Sequence, residues 1–423
     1  MGSIRELLQA VPLPRMALVR QHFDHSRLED VAAAVRQELD RDEVRAKVKP
    51  GMRIAITAGS RGISNLAVII REVVRFLQAQ GAEPFVIPAM GSHGGATAEG
   101  QLAVITEYGI TPDAMGCPVM ATMEVRQIGV LDDGRPVLIN RLAAEADGIV
   151  SLNRIKAHTA FHARYESGVM KMLTIGLGCQ AGAEVAHRQG IPHLAENVEK
   201  FAFGILANAN VILGVGIIEN AYDETCRVRV MTGEQIPEEE PILLQEAKER
   251  MAKLLLPKAD VLMVDYIGKN ISGEGMDPNI TGRWIDDGVS GGLDAARIGV
   301  LDLTDETIGN FNGLGMADTC SQRAIEKCSL ENTYPNSLTS TVAKLCRFPM
   351  HFDGHKQTIQ ATIKMVPGVA PEDVTMIRIR STMHMDTIWV SESLLDTVRQ
   401  TPNMEILTEP QEMMFDEHGD LFP

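Results

Sequence analysis

Short apolar strands that run into glycine-rich turns and then into periodic helices recur along this chain, and no other feature limits its fold so strongly. Arg53-Ile-Ala-Ile-Thr-Ala58 reads as a strand and Gly59-Ser60-Arg61-Gly as the turn after it. Ile69, Val73 and Leu77 then recur at helical spacing. Residues 84–89 form a second strand, ahead of Gly91-Ser-His93-Gly-Gly and a helix carrying Leu102 and Ile105. Further apolar strands fall at 147–152 and 211–218. Strand, turn and helix in alternation predict an α/β fold with a largely parallel sheet.

Composition changes at Pro237-Glu-Glu-Glu-Pro241, which leads into a charged helix over 244–256. The pattern then restarts with a strand at 261–265, a long glycine-rich loop from Gly268 and a strand at 298–303. The expected architecture is two α/β domains with mainly parallel sheets and an active-site cleft between them. Residues 1–256 form the N-terminal domain and 257–400 the C-terminal one, with the tail 401–423 packing back on the first. A chain of 423 residues that is 45% hydrophobic can fill cores of this size.

A net charge of −16 argues against nucleic acid or an anionic membrane as partner, so an anionic ligand would need a local cluster of donors. The six cysteines (Cys117, Cys179, Cys226, Cys320, Cys328 and Cys346) have no CxxC spacing, which removes a zinc ribbon or dithiol motif. The opening residues carry no apolar leader-like run and no stretch approaches membrane-spanning length. A cytoplasmic enzyme with reduced thiols is the expectation.

In parallel α/β sheets ligands lie beyond the carboxyl ends of the strands, and Ser60-Arg61, His93 and Lys156-Ala-His158 all fall there. Ala58-Gly59-Ser60-Arg61 has the makings of an anion site, with backbone N–H groups, a hydroxyl and a guanidinium at a helix start. It reads equally as an ordinary cap beside a solvated arginine. His93 has glycine close on its C-terminal side and Gly91 before it, so a ligand can approach the backbone, although Thr97 and Gln101 also suit a helix start.

Residues 153–187 carry the densest chemistry: His158, His162, Lys171 and His187. Imidazoles exchange protons near neutral pH or bind metals through a neutral nitrogen. Lys171, between Val169, Met170, Met172 and Leu173, would lose part of its solvation and gain nucleophilicity. Any one of these residues is explained by a buried helix with hydrogen-bonded histidines, but the set is not. His351-Phe-Asp-Gly-His355 has metal-like spacing, yet the nearby glycine and proline argue against the helix such a pair needs. Cys320 and Cys328 read as core, and His22, His25 and His418 as solvated. His384 points either into a cleft or into its sheet.

With Arg61, His93, His158, Lys171 and His187 in this order, the chain resembles the nickel-dependent lactate racemase family of 2-hydroxyacid racemases and epimerases. The resemblance runs over roughly residues 50–220. It is strongest at Gly91-Ser-His93, at Ala143-Ala-Glu-Ala-Asp147 and in the 15-residue interval between Lys171 and His187. It implies nickel held in a nickel pincer nucleotide (pyridinium-3,5-bisthiocarboxylic acid mononucleotide) attached covalently to Lys171, with His187 completing the metal's coordination. It further implies His93 and His158 as the paired acid and base, and Ala58, Gly59, Ser60 and Arg61 as cofactor contacts, which makes the first domain the cofactor-binding one. The implied partners are a small 2-hydroxyacid or sugar acid and the proteins that make the cofactor.

Two departures from the family bear on the site. The family's interval from histidine to lysine is a few residues shorter than that from His158 to Lys171, so His162 is an alternative second base. The family's second-domain substrate ligands have no clear counterpart, leaving Lys269, Asn279 and Arg283 as candidates. Competing readings are a metal-dependent hydrolase using His93, His158 and His187 as ligands, which leaves Lys171 unexplained, and a non-catalytic nucleotide-binding or cofactor-carrier protein.

Overall fold

The computed structural model describes residues 2–60 and 62–421. The chain forms two compact units, Asp24–Met251 and a discontinuous one made of Met1–Phe23 with Ala252–Pro423. The first strand, β1 (Met16–Gln21), belongs to the discontinuous unit. No helix among the described residues is long and apolar enough to cross a membrane.

In the Asp24–Met251 unit the strands are β2 (Arg53–Ala58), β3 (Glu83–Pro88), β4 (Val125–Val130), β5 (Pro136–Asn140), β6 (Gly148–Arg154), β7 (Val211–Glu219) and β8 (Thr225–Thr232). Five of them make one sheet in the order β3-β2-β6-β7-β8, parallel except for β8, while β4 and β5 pair as a separate hairpin. β2 is buried from Ile54 to Ala58 and β7 along its whole length, as expected of parallel strands covered on both faces. Ile69, Ile70, Val73, Val74 and Leu77 of the helix Leu66–Ala79 pack on Ile54, Ile56, Val150 and Val215 in one core. The chain winds from β2 to β3 on one side and returns to β6 on the other. The carboxyl ends of β2 and β6 therefore flank a switch point, the place where such sheets bind ligands.

The charged helix starts earlier than the sequence suggested, at Ile236–Arg250. Pro237 sits in the first turn, where no N–H is needed. Pro241 lies inside the helix and offers no N–H to the Pro237 carbonyl, which instead accepts the Tyr165 hydroxyl (2.8 Å) and an Arg164 guanidinium N–H (3.3 Å).

The discontinuous unit adds β9 (Lys258–Ile267), β10 (Asp294–Leu303), β11 (Thr319–Ser321), β12 (Met350–Phe352), β13 (Met376–Ile379), β14 (Thr387–Ser391) and β15 (Met404–Ile406). Its sheet order is β12-β11-β10-β9-β13-β14-β1-β15, parallel from β12 to β13 and antiparallel beyond. This division differs from the expected one at 256/257. β1 lies between β14 and β15, and Met16 exchanges both backbone hydrogen bonds with Gln411. The first residues and the tail thus join the unit that begins at Ala252, whereas the tail was expected to pack on the first domain. Val11 and Met16 are buried against Val261, Met263, Ile359 and Met376 in the same core. Pairing across nearly the whole chain length leaves no local mark in sequence.

Candidate active site

The loop after β6 is closed by a two-residue bridge, Lys156 to Ser167, and organised around the fully buried Glu166. One carboxylate oxygen, Oε2, accepts the His158 N–H (2.7 Å). The other accepts the Ala163 N–H (3.1 Å) and the Lys248 ammonium (2.6 Å), and lies 3.3 Å from His162 Nδ1. A buried carboxylate needs this many donors to be tolerated, and satisfying them fixes the loop.

This loop sets the His158 ring. The ring is buried and stacks on Phe161 with centroids 4.1 Å apart. Its Nδ1 accepts the Ala160 backbone N–H (3.0 Å), and its Nε2 lies 2.6 Å from Lys171 Nζ. Burial holds His158 well below the usual imidazole range, so the ring is neutral. Of the two histidines offered by the sequence, His158 is the one that reaches Lys171. His162 lies at the surface with Nδ1 toward Glu166.

Lys171 ends a single α turn, Val169–Lys171, which continues as a π-helical turn, Met172–Gly176. Such turns are rare and recur at functional sites. Behind it, the buried Glu240 accepts the Met170 N–H (2.9 Å), while its Oε1 has no hydrogen-bond partner among the described residues. Burial pushes the Glu240 carboxyl up to about 8. Gly168 precedes the turn because a Cβ there would collide with Glu240.

The helix Cys179–His187 follows, ending at the half-buried His187, whose Nδ1 lies 2.7 Å from the Ala183 carbonyl. A carbonyl only accepts, so Nδ1 carries the proton and Nε2 keeps its lone pair. Burial lowers the His187 pKa and keeps that form at neutral pH. This tautomer leaves Nε2 able to bind a metal, with the ring oriented by the backbone contact usual for such ligands.

The other two loops abut the same segment. Gly59, after β2, lies where a Cβ would sit 3.2 Å from Met172 Cε, the neighbour of Lys171. The Ser60 carbonyl accepts the Tyr108 hydroxyl (2.9 Å), and Arg61 lies outside the described residues. After β3, Gly91 (φ +60°) donates its N–H to the Gly176 carbonyl (3.2 Å), bringing the exposed His93 loop against the end of the π turn. The buried Gln101 ties that loop down, donating to the Gly91 and His93 carbonyls (2.9 and 3.3 Å). Thr97 caps the helix as its sequence position suggests, accepting the Gly100 N–H, whereas Gln101 belongs to the site.

The structure thus brings Ala58, Gly59, Ser60, His158, Lys171 and His187 onto one edge of the sheet, with the loop of His93 beside them. The other three candidates, Lys269, Asn279 and Arg283, lie in the other unit. Lys269, at the carboxyl end of β9, donates to the Gly273 carbonyl (2.6 Å), and Asn279 hydrogen-bonds Asp277 (2.9 Å) in a helical turn. Arg283 spends its guanidinium on Asp318 (2.9 Å) and the Ala295 and Ala296 carbonyls at the opposite end of β10. His351 lies in β12 and His355 in the following helix, so they share no helical face. His384 Nδ1 pairs with Ser381 (2.9 Å). Among the described residues no group of three or more His, Cys, Asp or Glu side chains is arranged to hold a metal ion.

Glu166, Glu240 and Gln101 were not singled out as site-building residues by the sequence. Glu166 had a signal, its position between the histidines and Lys171, whereas Glu240 was hidden in an acidic run.

Residues 13–198 match the family model for the lactate racemase N-terminal domain. Among solved structures, the fold is similar to that of the lactate racemase apoprotein from Thermoanaerobacterium thermosaccharolyticum. The TM-score is 0.54 and the identity 14%, over 86% of this chain and 100% of that one. No curated protein matches the chain in sequence.

Proposed function

We propose that this chain, which belongs to the lactate racemase family and carries that family's N-terminal domain at residues 13–198, racemises or epimerises a 2-hydroxyacid, either a small hydroxyacid or a sugar acid. A nickel pincer nucleotide, bound through Lys171 and His187, would supply the hydride acceptor that no side chain provides. The observation that carries this reading is the side-chain contact of Lys171 with His158 on the same sheet edge that presents His187 in its metal-binding tautomer. Both the amine and the imidazole fit the group. A lysine is the one side chain that can form an amide-type tether, and a neutral imidazole suits a borderline metal such as nickel.

The residues then divide the work. His93 and His158 hold or take the hydroxyl proton, one serving each stereoisomer, because an imidazole can act as either acid or base near neutral pH. Ala58, Gly59, Ser60 and Arg61 bind the nucleotide's anionic groups, with Gly59 admitting a close approach. Glu166 and Phe161 fix the His158 ring, and Glu240 fixes the turn that presents Lys171. For the substrate carboxylate the candidates are Lys269 and Asn279, since the Arg283 guanidinium is taken by Asp318 and two carbonyls. Against the hydrolase reading, His158 Nε2 faces an amine, and among the described residues no group of three or more His, Cys, Asp or Glu side chains is arranged to hold a metal ion. Chiral analysis of a panel of 2-hydroxyacids and sugar acids, using protein co-produced with the cofactor-making enzymes, tests the proposal. Inversion of at least one substrate at C2 supports it, and no inversion by nickel-loaded protein leaves the carrier reading.

A further inference from the structure

The hydrogen bonds around His158 fix more than its position. A backbone N–H can only donate, so the Ala160 N–H at 3.0 Å requires a lone pair on His158 Nδ1. A neutral imidazole with an unprotonated Nδ1 carries its one proton on Nε2. That nitrogen lies 2.6 Å from Lys171 Nζ, so the Nε2–H points at the amine. An ammonium group has donors only, and facing Nε2–H it would set donor against donor. We infer that, before any cofactor is attached, His158 holds Lys171 as an uncharged amine, a nucleophile ready for an activated acyl or thioacyl carbon.

The surroundings agree. Lys171 follows buried Val169 and Met170 and precedes buried Met172 and Leu173. His158 Nε2 lies against the amine, and a charge on Lys171 would act on His187 in the following helix. Glu166, the nearby carboxylate in the loop, already faces Lys248 and two backbone N–H groups. The use of this amine as a cofactor anchor rests on the proposed function, whereas the proton count around His158 does not.

Trace labelling of the cofactor-free, full-length protein with acetic anhydride from pH 6 to 11 tests the inference. In the reaction the amine lone pair forms the C–N bond, acetate leaves, and the amine proton passes to water. Peptide mass spectrometry then follows each lysine separately. Lys171 should be labelled with a midpoint about 2 pH units or more below those of exposed lysines such as Lys49. In His158→Gln, whose side-chain oxygen can turn to accept from an ammonium, the Lys171 midpoint should move back toward the exposed lysines. A normal Lys171 midpoint in the wild type, or no Lys171 labelling at any pH, overturns the inference. So does a low midpoint that His158→Gln leaves unchanged, because burial alone would then explain it. A normal midpoint in a protein that still acquires the cofactor sinks this inference and spares the function. A low midpoint in a protein that never acquires it does the reverse.

Discussion

Glu240 accepts the backbone N–H of Met170 at 2.9 Å, and so holds from behind the turn that ends at Lys171. The contact joins two stretches 70 residues apart in sequence and depends on Gly168, which leaves the carboxyl room to approach.

Glu240 makes stability depend on pH. Its folded pKa is raised from 4.5 to about 8, so between those values the native state binds a proton that the unfolded chain has released. Stability from this group is complete below 4.5 and is lost as pH rises through 8. At roughly 1.4 kcal/mol per unit the loss is on the order of a few kcal/mol. Glu240→Gln keeps an acceptor for Met170 and removes the titration. Denaturant unfolding at pH 5 and pH 8.5 should show a large drop for the wild type and a much smaller one for the variant. Equal drops would mean that the carboxyl does not titrate in this range.

Gly168→Ala should cost about 1–3 kcal/mol through overpacking against Glu240. Pairing it with Glu240→Asp, whose shorter side chain withdraws from the new methyl, should recover part of that loss. Additive losses in the double variant would place the strain elsewhere.

His158→Ala should abolish racemisation, whereas His162→Ala should retain most of it and lose less than about 1 kcal/mol, its ring being a surface partner of Glu166. Chiral chromatography of the products decides between them. Full activity in His158→Ala with loss in His162→Ala would transfer the base to His162.

His187→Ala should separate metal from tether. The ring's hydrogen bond is to the carbonyl four residues back in its own helix, so the fold should survive. Co-produced with the cofactor-making enzymes, the variant should keep the adduct on Lys171 and lose nickel by elemental analysis. Nickel at wild-type occupancy would remove His187 from the ligand set.

Gln101→Ala should release the loop that carries His93 without touching the tether. Activity should fall by about 100-fold, in line with a displacement near 1 Å, at unchanged adduct occupancy. Wild-type turnover would mean that the glycines alone shape this loop.

The sequence was most legible where local pattern and fold coincide. β2, the helix from Leu66 and the two glycine turns are each marked by residues a few positions apart, and their convergence follows from parallel topology. Lys171 stood out because a lysine among Val169, Met170, Met172 and Leu173 needs an explanation. Other parts depend on partners remote in sequence. β1 pairs with strands near the other end of the chain, and its six residues carry no hint of that. Glu240 sits in an acidic run between two prolines, which reads as a solvated linker until the helix turns that carboxyl inward. Arg283 was a candidate only because the family's second-domain ligands have no clear counterpart, and Asp318 and two carbonyls already take its donors.

The proposed function depends above all on Lys171 as the cofactor's anchor. Its most direct test is the intact mass and peptide map of the protein co-produced with the cofactor-making enzymes, wild type beside Lys171→Arg. Arginine keeps the positive charge that a lysine can carry but cannot form the tether, so it separates attachment from charge. The expected result is a nucleotide-sized adduct confined to the Lys171 peptide of the wild type, and a folded Lys171→Arg protein with no adduct and little activity. Wild-type turnover in Lys171→Arg, or an adduct on another lysine such as Lys156, would contradict it.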